Sequence, residues 1–184
     1  MNLSVEEPIV PAECPVASGP IEPVTRPVAP GDLPFLRRLY ASTRREELAL
    51  VPWSDAQKDQ FLAQQFTAQD RHYRATFPGA SFLVVEVDGI PAGRVTLDRG
   101  AGEVRLIDIA LLPGWRGLGI GSRLLAGLVV EAEQSGERIR LHVEKGNAAL
   151  RFYLRHRFQV VGETGFHLEM VRCPSSAGTV SPRI

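Results

Sequence analysis

The sequence predicts an α+β protein in which one mixed sheet forms the centre of a single domain. A short strand and two helical segments come first, and three strand-like segments follow one another in the middle. A helix, a strand, a helix and a last strand region complete the order. Three consecutive strands favour antiparallel pairing, whereas a doubly wound sheet alternates strand and helix throughout. The chain has 184 residues, 44% of them hydrophobic, which is enough to bury one core.

The amino-terminal part is predicted to hold a leader, one strand and two helices. Residues 1–20 are rich in proline and glutamate and are predicted to be a disordered leader. Residues 24–29 are predicted to form a short strand, and Pro27 favours an edge position for it. We expect Asp32 to cap the first helix and Ser54 to cap the second, because short polar side chains accept hydrogen bonds from free N–H groups.

The middle of the chain is predicted to form three strands in succession. Residues 81–87 and 91–97 are apolar, and the Asp88-Gly89 pair between them is typical of a tight hairpin turn. Residues 103–112 become almost wholly apolar toward their end, as expected for a buried central strand.

The last third is predicted to alternate helix and strand. A leucine-rich helix ends near Ser135-Gly136, and residues 138–144 alternate apolar and polar positions as a strand does. Residues 147–156 are predicted to be a helix and residues 159–171 one or two strands. The serine- and proline-containing residues 174–184 are predicted to be a flexible tail, which leaves residues 21–173 as the domain.

Charge and cysteine content exclude several classes of function. Lysine plus arginine and aspartate plus glutamate are both 21, so a general nucleic-acid partner is not expected. Cys14 and Cys173 are isolated, which predicts free thiols, no disulfide framework and no metal site. Because neither a secretory signal nor a membrane-spanning apolar stretch is present, we expect a cytoplasmic protein with no membrane partner.

The most informative segment follows the third central strand and reads Arg116-Gly117-Leu118-Gly119-Ile120-Gly121-Ser122. Glycines at a strand-to-helix junction let backbone N–H groups approach a ligand closely, and the helix start adds free donors and a positive dipole end. The segment therefore predicts a site for a pyrophosphate or another anion. A dinucleotide fingerprint would follow the first strand directly, and a P-loop would need Gly-Lys-Ser/Thr, so both are weaker interpretations.

Three motifs in order resemble the GNAT acetyltransferase superfamily. They are the strand Asp108-Ile109-Ala110-Leu111-Leu112-Pro113, the Arg-x-x-Gly-x-Gly run from Arg116 to Gly121, and the helix start Asn147-Ala148-Ala149-Leu150-Arg151-Phe152-Tyr153. The resemblance spans residues 24–171. It implies a mostly antiparallel sheet with a splayed parallel strand pair and about four helices. It also implies transfer of an acetyl group from acetyl-CoA to a primary amine by direct attack in a ternary complex, with CoA as product.

The resemblance assigns roles to particular residues. The strand segment of Ile109, Ala110 and Leu111 would bind the acetyl carbonyl and the pantetheine arm, chiefly through Ile109 and Leu111. Asn147 would contact the pantetheine, and the pyrophosphate would lie on Arg116, Gly117, Leu118, Gly119, Ile120, Gly121 and Ser122. Tyr153 would protonate the departing thiolate, and one branch of the family has its general base at the position of His142.

The chemistry of these side chains suits the implied roles but leaves the base open. A phenol with a pKa near 10 can protonate a thiolate, and an imidazole with a pKa near 6.5 can accept a proton from an amine. Glu144, Asp108 and a water molecule are alternatives to His142. The family usually has glycine where this chain has Arg157, so we expect a local change of the turn that could displace Tyr153.

A non-catalytic CoA-binding module of the same fold is the main alternative function. The acceptor of the enzyme would be a small-molecule or peptide amine, and the resemblance suggests a homodimer paired through sheet edges. The acceptor side is expected between the first two helices and the late strands, where its candidates are Arg44, Arg45, Glu46, Glu47, Trp53, His72 and Tyr73.

Overall fold

The computed structural model describes residues 21–100 and 102–175 of the chain. The predicted leader, Cys14 and residues 176–184 of the predicted tail lie outside the described residues. The elements are β1 (Val24–Pro27), α1 (Leu33–Ala49), α2 (Asp55–Thr76), β2 (Ser81–Val87), β3 (Ile90–Gly100), β4 (Glu103–Leu111), α3 (Ile120–Ser135), β5 (Arg138–Glu144), α4 (Ala149–Arg155), β6 (Gln159–Thr164) and β7 (His167–Arg172), with 3-10 turns at Pro30–Asp32 and Pro113–Trp115.

The strands form one seven-stranded sheet in the order β1-β2-β3-β4-β5-β7-β6. All neighbours pair antiparallel except β4 and β5, which run parallel. The predicted mixed α+β fold is therefore confirmed, with β1 at one edge as its proline indicated and two strands after α4. The Asp88-Gly89 turn is also confirmed, since both residues have the positive φ angles, 52° and 75°, that a tight hairpin requires.

Each face of the sheet buries a separate apolar cluster. On the face that we call the α1/α2 face, Phe35, Leu39 and Phe66 pack on Val84 of β2. On the opposite face, the α3/α4 face, side chains such as Leu125 and Phe158 pack against the sheet. Among the described helices, none combines the length and the apolar character needed to cross a membrane.

The two predicted helix caps differ in outcome. The Ser54 hydroxyl accepts the Gln57 N–H at 3.3 Å and the Gln57 side chain returns a bond to the Ser54 N–H, so this cap is confirmed. The prediction for Asp32 is wrong, because its carboxylate binds Arg26 at 2.7 and 2.8 Å and the Ala29 N–H at 2.7 Å. Pro34 has no N–H group, so α1 offers one donor fewer to a capping side chain. The two-point ion pair with Arg26 is also a stronger interaction for the Asp32 carboxylate than a single cap bond.

A β-bulge in β4 opens the sheet between β4 and β5. Thr96 of β3 lies opposite Asp108 and Leu97 lies opposite Leu106, so Ile107 is an extra residue in β4. Parallel pairing with β5 ends at the same level, with Leu106 opposite Leu141. Because a bulge bends a strand and interrupts its ladder, the carboxyl-terminal halves of β4 and β5 diverge. We refer to this opening as the gap.

Candidate active site

The last residues of β4 expose backbone groups to the gap. The Leu112 N–H donates to the Ala92 carbonyl of β3 at 2.9 Å. Because backbone groups alternate in direction along a strand, those of Ala110 also point toward β3, and those of Ile109 and Leu111 point toward the gap. Ile109 and Leu111 thus direct their backbone groups to the gap, whereas Ala110 pairs with Arg94 of β3 and directs its backbone groups away from the gap.

The glycine loop leads from β4 into α3 with two left-handed residues. Gly117 and Gly119 have φ angles of 77° and 80°, which a side chain would make costly. Gly119 is also the N-cap of α3, and since it has no side chain, the first N–H groups of the helix receive no side-chain cap. These free donors at a positive dipole end are what an anion needs.

Arg116 fixes this loop rather than reaching away from it. Its Nε donates to the Leu111 carbonyl at 2.8 Å, which ties the loop to the end of β4. The Leu111 N–H points to the same side of β4, toward the gap. Arg116 is thus placed as a positioning residue between the two parts of the site.

Tyr153 lies in α4 on the α3/α4 face and is 7% exposed. Its ring packs edge-on against Phe158 at 5.7 Å between centroids. Burial, and secondarily the Asp108 carboxylate, raises the pKa of Tyr153 to about 12. The phenol is therefore protonated throughout the neutral pH range. Tyr153 belongs to the apolar cluster against which Ile109 and Leu111 of β4 pack.

The expected change at Arg157 does not occur. Arg157 adopts the left-handed conformation itself, with φ 64°. The Phe158 N–H donates to the Tyr153 carbonyl at 3.1 Å and the Arg157 N–H donates to the Leu154 carbonyl at 3.0 Å. This is the hydrogen-bond pattern of a glycine-type helix end. Since the turn is retained, Arg157 gives no reason to expect a displaced Tyr153.

Asp108 is held by a partner that the sequence analysis did not find. Arg94 of β3 donates from Nε to the Asp108 carboxylate at 2.6 Å and from its other end to the Gln69 side chain of α2 at 2.7 Å. Asp108 also acts on Tyr73 of α2, where burial first and this carboxylate second raise the pKa of the phenol. The signal available in the sequence was Arg94, a charged residue flanked by Gly93 and Val95 in β3.

His142 lies on β5, across the gap from the end of β4. Its neighbours Leu141 and Val143 are buried on the α3/α4 face, so His142 points to the α1/α2 face and is exposed. Partial desolvation, followed by the charges of Arg105 and Arg140, lowers the pKa of His142. A neutral imidazole at pH 7 is the form that can accept a proton.

Glu144 is the last residue of β5, and Asn147 lies in the turn between β5 and α4. The Asn147 side-chain oxygen accepts the Ala149 N–H at 2.8 Å and so organises the start of α4. Glu144, the alternative base, is exposed and lies 4.0 Å from the His167 ring nitrogen.

The chain matches the model of the acetyltransferase (GNAT) family over residues 36–158. The chain belongs to the GNAT acetyltransferase family. The matched residues include β4, the glycine loop and Tyr153. The resemblance that the three motifs indicated is therefore confirmed. No curated protein matches the chain in sequence.

Solved structures share this fold at low sequence identity. PaiA N-acetyltransferase from Thermoplasma acidophilum, in complex with coenzyme A, is 19% identical with a TM-score of 0.64, covering 83% of this chain and 99% of that one. An acetyltransferase from Thermus thermophilus is 18% identical with a TM-score of 0.60, covering 84% and 98%. The ribosomal-protein-S18-alanine N-acetyltransferase from Escherichia coli is 22% identical with a TM-score of 0.55, covering 87% and 99%.

Proposed function

We propose that this GNAT domain transfers an acetyl group from acetyl-CoA to the nitrogen of a primary amine, by direct attack in a ternary complex. The observation that carries the proposal is the buried Tyr153 in the apolar cluster against which Ile109 and Leu111 pack, on the part of β4 that no longer pairs with β5. Acetyl-CoA would supply an activated acyl group, and the chain would supply positioning, hydrogen bonds and a proton.

The residues that would hold the donor fit it chemically. The uncapped N-terminus of α3 offers N–H groups to the pyrophosphate, and each charge-assisted bond of this kind contributes about 1.5–3 kcal/mol. The backbone groups of Ile109 and Leu111 would polarise the acetyl carbonyl and hold the pantetheine amides. The Asn147 amide would add a contact at the mouth of the gap.

Proton transfer would use one residue on each side of the reaction. Tyr153, with its pKa raised to about 12, keeps its proton until negative charge develops on the leaving sulfur, and then donates it from the phenol oxygen. His142, whose pKa is lowered, would take the proton from the attacking amine, directly or through water. The acceptor, a small-molecule or peptide amine, would approach from the α1/α2 face, where Tyr73 and the Arg94–Asp108 pair lie.

Binding of the donor is tested by thermal unfolding with acetyl-CoA, CoA and NADH. A ligand at 100 times its Kd stabilises the folded state by roughly 2.7 kcal/mol, which is about 5–11 °C for a domain of this size. We expect a shift with acetyl-CoA and with CoA and none with NADH. A shift with NADH alone would contradict the proposal, as would the absence of any shift with acetyl-CoA.

The role of Tyr153 is tested by Tyr153→Phe in an assay of CoA release with a panel of amines. We expect kcat to fall by about 10²–10⁴ with acetyl-CoA affinity nearly unchanged, because only a hydroxyl is removed. Tyr40→Phe is the matched control, since Tyr40 is also 7% exposed but packs on Phe66 in the α1/α2 cluster. Equal turnover in the two variants would remove Tyr153 from the mechanism.

A further inference from the structure

The carboxyl-terminal end of α4 packs directly on the first turn of α3. His156 Nε2 lies 3.3 Å from the Ser122 hydroxyl oxygen. The His156 ring contacts the Phe152 ring edge-on at 4.7 Å, and Phe152 in turn lies 3.7 Å from where a Cβ of Gly121 would be. His156 therefore touches the turn of α3 whose N–H groups would receive the pyrophosphate.

We propose that His156 is a positioning residue for the phosphates of CoA, acting through the Ser122 hydroxyl, and that binding of CoA takes up a proton at His156. The inference rests on the proposed function, because it assumes that CoA binds at the N-terminus of α3. Ser122 carries the hydroxyl that would contact a phosphate oxygen, and His156 determines where the hydrogen of that hydroxyl points.

The hydrogen-bonding capacity of His156 and Ser122 links the state of the ring to the phosphate. A serine hydroxyl has one hydrogen to donate and can accept at its oxygen. When Nε2 of His156 has no hydrogen, it accepts the Ser122 hydrogen and withholds it from a phosphate. When Nε2 carries a hydrogen, it donates to the Ser122 oxygen, and the hydroxyl can donate to a phosphate. Binding of a phosphate therefore favours a hydrogen on Nε2, which the ring carries both as the imidazolium and as the Nε2–H tautomer of the neutral ring.

The charges around His156 set its state before binding. Partial burial, then Arg155 on α4 and Arg172 on β7, lower the pKa of His156. Arg172 itself is paired with Glu133 of α3 at 2.8 Å, and so its charge is partly balanced. His156 is thus neutral near pH 7 in the free chain. A bound pyrophosphate brings negative charge to the same turn, raises the pKa and favours the imidazolium.

The sign of the pH dependence follows from this linkage. Because the pKa of His156 is higher in the complex than in the free chain, binding is strengthened as the pH falls through the interval between the two values. Each unit of pKa difference corresponds to a tenfold change in affinity across that interval. The phosphates of CoA also titrate, so the measured quantity has to be a ratio of affinities between variants, in which ligand titration cancels.

The test is calorimetric titration of the full chain with CoA at pH 6, 7 and 8, in two buffers of different ionisation enthalpy. His156→Gln keeps an N–H donor but does not titrate. His156→Phe removes the donor, and His167→Gln changes an exposed histidine on β7 as the control. We expect the affinity ratio of wild type to His156→Gln to rise by about 3- to 10-fold from pH 8 to pH 6. The proton uptake in excess of that measured with His156→Gln should be the same in wild type and in His167→Gln.

A second comparison isolates the path through Ser122. His156→Phe should weaken CoA binding at pH 6 in the wild-type background and have a much smaller effect at the same pH in Ser122→Ala. A pH-independent ratio for His156→Gln, or an undiminished effect of His156→Phe in Ser122→Ala, would overturn the inference while leaving the proposed function intact. Failure of wild type to bind CoA would overturn both.

Discussion

Gly93→Ala is the substitution whose consequences the structure defines most sharply. Gly93 lies in β3 opposite Leu111, at the end of the strand that would hold the acetyl donor. A Cβ at Gly93 would lie 2.3 Å from the Ala110 carbonyl oxygen and 2.6 Å from Leu111 Cδ2. An unstrained carbon contact needs about 3.5 Å. Alanine therefore requires β4 to move by about 1 Å, because a backbone oxygen cannot rotate away as a side chain does.

The expected cost has a stability part and an activity part. Overpacking of this kind destabilises a domain by about 1–3 kcal/mol, which corresponds to a decrease in Tm of roughly 2–12 °C here. A shift of 1 Å in the backbone groups of Ile109 and Leu111 would misplace the acetyl carbonyl. Misplacements of that size can lower catalysis by about 10²-fold.

The assay is thermal unfolding together with kcat/KM for acetyl-CoA, with Gly127→Ala as the matched control. Gly127 is exposed in the middle of α3, and a Cβ there would meet nothing within 4 Å. Alanine at that position should stabilise the helix by about 1 kcal/mol and leave kcat/KM unchanged. If Gly93→Ala were as stable and as active as Gly127→Ala, the close approach of β3 to the end of β4 would be refuted.

Two further predictions concern α4 and the general base. Arg157→Gly should stabilise the chain by about 1 kcal/mol in urea unfolding, because it relieves a left-handed arginine. The control Arg155→Gly, in the last turn of α4, should destabilise it by a similar amount, and the reverse order would contradict the assigned turn. Wild-type kcat/KM should decline below about pH 6.5 as His142 becomes protonated, since its pKa is lowered. His142→Gln should lower kcat/KM by about 10²–10⁴ and abolish that acidic limb; an unchanged profile would assign the amine proton to another group.

Some features were accessible from the sequence because their causes are local. Gly117 and Gly119 indicated a left-handed loop, and Asp88-Gly89 indicated a hairpin turn, because only a few residue types tolerate positive φ. Ser54 with Gln57 indicated a capped helix, since both bonds lie within one turn. The alternation of apolar residues in β5 indicated that His142 faces away from the core.

Other features depended on residues that are distant in the chain. Asp108 was ambiguous as a sequence position, and only the pairing of β3 with β4 brings Arg94 to it at 2.6 Å. Asp32 satisfied the local rule for a helix cap, yet Arg26 takes its carboxylate because the turn after β1 brings the two together. His156 carried no motif at all and became informative only when α4 packed on α3.

The sequence by itself determined the order of the elements and the glycine loop, because these are set by local backbone preferences and by hydrophobic periodicity. It indicated the family through the resemblance of three motifs. The tertiary structure decided which charges meet and where the sheet opens. The gap depends on Ile107 being left out of the ladder between β3 and β4, and that register results from the balance of pairing across three strands. No local rule contains such a balance.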